Sequence, residues 1–194
     1  VTGFLIGLIF DPTSSWFALF IACLVASVGK HFVGTGRRKH IFNPAALGIV
    51  VASLMFGRPV AWWAGAWGNL PPLIVVTGMI PVLHRLRRLW MPATFLVFYF
   101  FTNLLFAPLA DALRLTLDST AIFFALIMVP EPLTSTSLGM WRYGWGLVVG
   151  VLVLGVSVLF FPVSDPLLVS LLAANAIGFF FVRNRPIKLL SDIV

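Results

Sequence analysis

The stretch SWFALFIACLVASVGKHFVGTGRRKH, residues 15–40, joins a long apolar run to a basic cluster. The apolar part, residues 15–33, is long enough for one helical crossing of a bilayer, which needs roughly 20 apolar residues. Arg37, Arg38 and Lys39 follow soon after it. This order is typical of a membrane-spanning helix that ends in a basic cytoplasmic loop.

The composition of the whole chain points the same way. Of its 194 residues, 60% are hydrophobic and only 10% are charged, and the mean hydropathy is +1.06. Soluble domains carry about 25% charged residues, so a water-exposed surface cannot be built from so few. The net charge of +7 lies in short loops between apolar runs, which favours orientation in a membrane over binding of nucleic acid. The single cysteine, Cys23, excludes an internal disulfide and a multi-cysteine metal site.

Apolar segments recur along the chain. They cover residues 1–10, 15–33, 42–56, 71–84, 92–110, 119–130, 143–162 and 166–182. The first, third and sixth are too short for a perpendicular crossing, as is typical of broken or half helices in polytopic proteins. The sequence therefore predicts one all-α transmembrane domain over residues 1–194, a polytopic helical bundle with short or broken helices and an inverted repeat. Because the chain opens at Val1 inside an apolar run, we expect one or two helices before it.

The basic residues test this segmentation. If every segment crosses once, one side receives Lys30, Arg37, Arg38, Lys39, Arg85, Arg87, Arg88, Arg142, Arg183, Arg185 and Lys188. The other side receives Arg58 and Arg114 with most of the acids. Because cytoplasmic loops are enriched in Lys and Arg, this split predicts that both visible ends are cytoplasmic.

The stretch KHIFNPAALGIV, which begins at Lys39, predicts a sharply started helix at that face. Asn43 is a favourable N-cap and Pro44 fits the first helical position. The free N–H groups of such a start can hold an anionic or carbonyl-bearing ligand. Three small residues follow: Ala45, Ala46 and Gly48. They allow close packing against a helix or a flat ring, although a simple capped helix with interfacial basic residues explains the pattern equally.

The stretch VPEPLTSTSLGMWRYG, residues 129–144, predicts a stiff polar turn on the same side. Two prolines frame Glu131, and four hydroxyl residues follow. They are Thr134, Ser135, Thr136 and Ser137. Glu131 could pair with Arg142 or with a neighbouring basic loop, and the turn has either a ligand-binding or a purely structural role.

Three tryptophans, Trp62, Trp63 and Trp67, lie in AWWAGAWGNLPP on the opposite side. Such a cluster predicts an aromatic belt at the membrane interface or, as an alternative, a stacking platform for a ring cofactor. Asn103 and Asn175 interrupt apolar runs and predict hydrogen bonds between helices. The sequence contains no phosphate loop and no metal-ligand spacing.

Several motifs together resemble the NqrB/RnfD family, the membrane flavoprotein subunits of the sodium-translocating NADH:quinone reductase and of the Rnf complex. They are TGFLIGLIF, KHIFNPAALG, GNLPPLIVVTG, EPLTSTSLGMWRYG and LLAANAIGFFF, and they span nearly the whole chain. The resemblance implies a fold similar to urea transporters, with two inverted repeats, and a subunit of an inner-membrane oxidoreductase complex that contacts lipid and other membrane subunits.

The resemblance also implies a flavin, but not in the family's covalent form. Family members carry FMN on a threonine in the loop after the Asn-Pro-Ala helix, whereas the corresponding loop here, residues 57–69, contains neither Ser nor Thr. Covalent FMN at that position is therefore excluded. A non-covalent flavin, FMN or riboflavin, is expected instead near Asn43. Residues 45, 46 and 48 would form its slot, the Thr134–Ser137 hydroxyls would donate to it, and Lys39 with Arg38 would meet a phosphate.

Three functions follow from these observations. The first is a membrane electron-transfer subunit whose cofactor carries the reaction, an enzyme component only if the resemblance holds. The second is a transporter or channel for a small solute, against which the near absence of ionisable residues in the apolar segments argues. The third is a structural subunit of a redox assembly.

Overall fold

The computed structural model describes residues 1–33, 40–65, 68, 70–136, 139–159 and 165–183. These residues form nine α-helices and no β-strand, which confirms the all-α prediction. The helices are α1 (Thr2–Ile9), α2 (Trp16–Phe32), α3 (Pro44–Phe56), α4 (Leu70–Arg85), α5 (Trp90–Leu104), α6 (Leu109–Thr116), α7 (Ser119–Phe123), α8 (Trp141–Leu159) and α9 (Pro166–Gly178). Phe124–Met128 and Phe179–Arg183 continue α7 and α9 as π-helical turns, and Trp63–Gly65 is a 3₁₀ turn.

Proline divides the fifth predicted segment. The sequence predicts one segment over residues 92–110, whereas α5 ends at Leu104 and α6 begins at Leu109. Pro108 lies at the N-cap of α6 and has no N–H group with which to continue α5. The short helix that follows carries Asp111 and Arg114 and packs against α5. The predicted continuous segment is therefore wrong at its C-terminal end.

Contacts between the interhelical connections show which connections lie at the same end of the bundle. Trp62 Nε1 donates to Asp165 Oδ2 at 2.6 Å at the end that we call the acidic end. Arg88 NH1 donates to the carbonyl oxygen of Pro130 at 3.2 Å at the opposite end, which we call the basic end. The acidic end holds Asp11, Arg58, Asp111, Arg114, Asp118 and Asp165, and the basic end holds Lys30, Arg85, Arg87, Arg88, Glu131 and Arg142. Apart from the short helix α6, which lies at the acidic end, successive helices run in alternate directions between these two ends.

The small residues of α2 face the bundle and its large residues face away from it. Ala18, Ala22 and Ala26, spaced by one helical turn, are buried. They pack against α3, where a Cβ atom at Gly48 would overlap the carbonyl oxygen of Ala22. The exposed large apolar residues of α2 are Trp16, Phe17, Phe20, Leu24, Val28 and Phe32. Helices on the surface of soluble proteins show the reverse arrangement.

Aromatic side chains fill the centre of the described bundle. The rings of Phe95 and Phe124 lie 5.2 Å apart, and those of Trp62 and Phe124 lie 6.2 Å apart. Trp145 is fully buried, and its Nε1 donates to the carbonyl oxygen of Val129 at 3.0 Å. Since Trp62 is 8% exposed, the predicted interfacial belt is wrong for this residue. Trp67 lies outside the described residues.

Two units with similar local features run in opposite directions. The first is α1–α2–α3, and the second is α7–α8–α9. Each places an acid–proline turn after a short helix, and in each turn a threonine hydroxyl donates to the acid: Thr13 to Asp11 at 2.8 Å and Thr134 to Glu131 at 2.6 Å. In each unit the last helix then begins with proline after a side-chain cap, at the basic end for α3 and at the acidic end for α9.

Candidate functional site

A cavity of about 430 Å³ lies at the basic end. The C-terminal parts of α2 and α4, the N-terminal parts of α1 and α3, and the turn after Met128 surround it. Its polar lining residues are Thr2, Lys30, His40, Asn43 and Glu131. The remaining lining residues are apolar, and Met79, Val82 and Leu83 of α4 form one wall. Size and lining match small-molecule sites, which measure about 300–1,000 Å³ and are mostly apolar with few polar groups.

Asn43 fixes the start of α3 at this cavity. Its Oδ1 accepts a hydrogen bond from the N–H of Ala46 at 3.0 Å, and its own N–H donates to Asn175 Oδ1 at 2.8 Å. The predicted N-cap and the predicted proline at the start of the helix are therefore confirmed. Pro44 and Ala45, next along the chain, also line the cavity. Because Oδ1 serves the cap, the side-chain amide N–H groups of Asn43 are the donors that remain for a ligand.

Glu131 lies on the opposite side of the cavity and organises its own turn. One carboxylate oxygen, Oε1, lies 3.7 Å from His40 Nε2, and the other accepts from Thr134 Oγ1 at 2.6 Å. Ser135 Oγ donates to the carbonyl oxygen of Glu131 at 2.6 Å. The side chain that contacts the Glu131 carboxylate is thus His40 rather than Arg142. The two hydroxyls serve the turn and do not line the cavity.

Arg88 holds this turn against the connection between α4 and α5. It is buried, and its NH1 donates to the carbonyl oxygen of Pro130 and to Ser135 Oγ. Burial lowers the pKa of the Arg88 guanidinium, which nevertheless stays charged because arginine titrates far above neutral pH. Sequence reasoning missed this role, since no local signal distinguishes Arg88 from its neighbours Arg85 and Arg87.

The other predicted site residues that the structure describes do not line the cavity. Gly48 packs under α2, so its missing side chain serves helix packing rather than a ligand slot. Thr136 Oγ1 is buried without a hydrogen-bond partner among the described residues, and a Cβ atom at Gly178 would lie 2.9 Å from it. Lys39, predicted to meet a phosphate, lies outside the described residues. The predicted residues that the cavity brings together are Asn43, Pro44, Ala45 and Glu131.

The charges around the cavity suit a ligand with a polar edge. Lys30, in the last turn of α2, and the amide of Asn43 supply hydrogen-bond donors. His40 and Glu131 bring an imidazole and a carboxylate within 3.7 Å of each other beside the cavity. The apolar wall from α4 would cover the opposite face of the ligand. This arrangement fits a flat, mainly apolar ring that carries carbonyl oxygens or an anionic group at one edge.

Comparison with known proteins does not assign this chain to a family. No protein-family model, no curated protein and no solved structure matches this chain. The resemblance to the NqrB/RnfD family therefore rests on the sequence motifs, and the function must be inferred from the cavity and from the surface of the bundle.

Proposed function

We propose that this chain is a multi-pass protein of the cell inner membrane. The exposed face of α2 carries this proposal, because it presents large apolar residues such as Phe20 while the buried face has alanines. Water cannot solvate such a surface favourably, whereas lipid can. Among the described residues, α8 (Trp141–Leu159) alone is long and apolar enough to cross by itself, and shorter apolar helices make up the rest.

The short helices are compatible with this environment. Irregular or short backbone segments persist at membrane depth only where protein covers them. Most residues of α3 (Pro44–Phe56) are buried, and so is nearly all of Ala121–Met128, which spans the end of α7 and its π-helical turn. The long helices α2 and α8 each expose six large apolar side chains, whereas α3 exposes two.

The charges support an orientation with the basic end in the cytoplasm. Lys30, Arg85, Arg87, Arg88 and Arg142 lie there, whereas Arg58 and Arg114 lie at the acidic end. Cytoplasmic loops carry the excess of Lys and Arg in membrane proteins, so both visible chain ends would be cytoplasmic.

An inverted repeat is supported by the two helical units. The unit α1–α2–α3 and the unit α7–α8–α9 share an acid–proline turn and a proline-started last helix, and they run in opposite directions. Inverted repeats in membrane proteins place their ligand sites where such units meet. Asn43 belongs to the first unit and Glu131 to the second, and both line the cavity.

We infer that this cavity holds a non-covalent flavin and that the chain is an electron-transfer subunit of a larger redox complex. The meeting of Asn43 and Glu131 at one cavity is the observation that carries this inference. A bound flavin would supply the electron transfer itself. Asn43 would donate to a ring carbonyl, Lys30 would meet the polar tail, and the side chains of His40 and Glu131 would lie beside the ring.

The two other candidate functions have less support. A small-solute pathway requires an opening through the bundle, but Phe95, Phe124 and Trp145 close the centre of its described part. A purely structural subunit would not require a cavity lined by Lys30, His40 and Glu131. Flux of a neutral solute into liposomes would favour the first, and a stable complex without cofactor or flux would favour the second.

The flavin proposal is tested by placing a large side chain in the cavity from α4, the helix on which a substitution should disturb packing least. Leu83 is the one buried residue of α4, and Val82 lines the cavity while remaining largely exposed, so Val82→Trp should leave the fold intact. Leu73→Trp, on an exposed site of the same helix away from the cavity, is the matched control.

We expect the purified wild-type protein to show flavin absorption bands and to release the flavin on denaturation without proteolysis. Val82→Trp should reduce the flavin content by about tenfold, the effect of losing about 1.4 kcal/mol of binding. Leu73→Trp should retain it. Absence of flavin from the wild-type protein, or equal content in both variants, would contradict the proposal.

A further inference from the structure

A second cavity, of about 260 Å³, lies at the basic end between the α4–α5 connection and the start of α8. Its lining consists of His84, Arg87, Leu89, Trp90, Arg142 and Tyr143. It shares no lining residue with the proposed flavin cavity. Two guanidinium groups and one imidazole face it, and no acidic residue does. Such a lining is suited to an anion.

Two helix N-termini add positive potential at the same place. The helices α5 and α8 both begin beside this cavity and run in the same direction, and a Cβ atom at Gly146 would overlap the carbonyl oxygen of Met91. Each N-terminus carries a partial positive charge, and neither helix has an acid in its first turn. Arg142 lies within the first turn of α8, where a cation is unfavourable unless an anion offsets it.

The guanidinium group of Arg142 has a buried donor that lacks a hydrogen-bond partner among the described residues. Its guanidinium carbon lies 4.8 Å from the centroid of the Tyr143 ring, while its Nε is buried without a hydrogen-bond partner among the described residues. Buried donors in proteins are nearly always paired, so an acceptor is expected here. Arg87 adopts a φ of 56°, a left-handed conformation that is uncommon for a residue other than glycine.

We propose that this cavity binds the phosphate of an anionic phospholipid headgroup. Guanidinium groups recognise phosphate through paired hydrogen bonds, and basic pockets between helices at the cytoplasmic face bind such headgroups. Trp90 and Tyr143 are 57% and 42% exposed, as expected for amphipathic rings at headgroup level. The proposal rests on the membrane location inferred above and does not depend on a flavin.

Lipid retention by the purified full chain tests this site. The probes are phosphatidylglycerol and phosphatidylcholine in mixed micelles, with retained lipid measured by native mass spectrometry. The variant is Arg87→Gln/Arg142→Gln. Its control, Arg58→Gln/Arg114→Gln, removes the same charge from exposed positions at the acidic end. Arg142→Lys keeps the charge and serves as the readout if the double variant does not purify as a folded protein.

We expect the wild-type protein and the control to retain phosphatidylglycerol in preference to phosphatidylcholine. The double variant should bind it roughly 30-fold more weakly, because each basic residue near an anionic headgroup contributes about fivefold. Arg142→Lys should also weaken retention of phosphatidylglycerol, because an ammonium group keeps the charge but cannot make the paired hydrogen bonds of a guanidinium. Equal retention by the double variant, or an equal loss in the control, would overturn the proposal. So would displacement of the lipid by millimolar inorganic phosphate, which would identify a soluble phosphate as the ligand.

Discussion

Asp165 connects the start of α9 to the opposite side of the bundle. Its Oδ1 accepts from the N–H of Leu168 at 2.8 Å, and its Oδ2 accepts from Trp62 Nε1 at 2.6 Å. Burial raises the pKa of the Asp165 carboxyl more strongly than these hydrogen bonds lower it. The side chain therefore acts both as a helix cap and as a link between elements that are distant in sequence.

The two roles of Asp165 can be separated by mutation. Asp165→Asn keeps an oxygen for the cap but turns a donor toward Trp62, and it should destabilise the protein by about 1–3 kcal/mol, the cost of an unsatisfied buried group. In a Trp62→Phe background that donor no longer meets another donor, so the same substitution should cost clearly less. Thermal unfolding of the four proteins in detergent measures the coupling. Equal costs in both backgrounds would show that the Trp62–Asp165 bond contributes nothing.

At the scale of residues, the sequence predicts interactions that have a local sequence signal, but it does not predict which residues far apart in the chain contact each other. Asn103 and Asn175 could be assigned to hydrogen bonds between helices, because an amide in an apolar run needs a partner, and both make one. The cap at Asn43 was predictable from its proline neighbour. The pairing of His40 with Glu131 was not, since it joins residues whose separation in sequence gives no signal.

At the scale of elements, small residues determine which helices lie against each other. Alanines of α2 meet Gly48 of α3, and α8 meets α5 at Gly146 and Gly150. The bounds of most helices were predictable, because apolar runs and proline or glycine breaks are local features. The contacts between helices were not predictable, because a small residue in an apolar run gives the same sequence pattern whether it faces lipid, a ligand or a neighbouring helix. Gly48 shows this, since its pattern also allowed a flavin slot.

Two glycines of α8 give a matched test of this packing. A Cβ atom at Gly146 would overlap the carbonyl oxygen of Met91, whereas one at Gly155 would meet nothing within 4 Å. Gly146→Ala should therefore destabilise the protein by about 1–3 kcal/mol, as expected for overpacking. Gly155→Ala should be neutral or stabilise it by up to about 1 kcal/mol through helix propensity. Thermal unfolding in detergent distinguishes the two, and similar effects of both substitutions would contradict close α5–α8 contact.

At the scale of the whole molecule, each end of the bundle has a turn in which a threonine hydroxyl donates to an acidic side chain, and the two units that contain these turns run in opposite directions. At the acidic end, Asp11 accepts from Thr13 before α2 begins. At the basic end, Glu131 accepts from Thr134 before α8 begins. The two units share few identical residues, so the inverted repeat stays a proposal. Their similarity lies in the order of turn, long helix and proline-started helix, which the geometry makes visible.

The proposed orientation predicts which end of the bundle is accessible from outside the cell. Leu117 at the acidic end and Met140 at the basic end are both exposed and uncharged, so a cysteine at either leaves the charge balance unchanged. In a Cys23→Ala background, Leu117→Cys should react with a membrane-impermeant maleimide in intact spheroplasts. Met140→Cys should react only after permeabilisation. Reaction of both cysteines before permeabilisation would refute a spanning bundle, and the reverse pattern would invert the orientation and place the proposed flavin and lipid sites at the outer face.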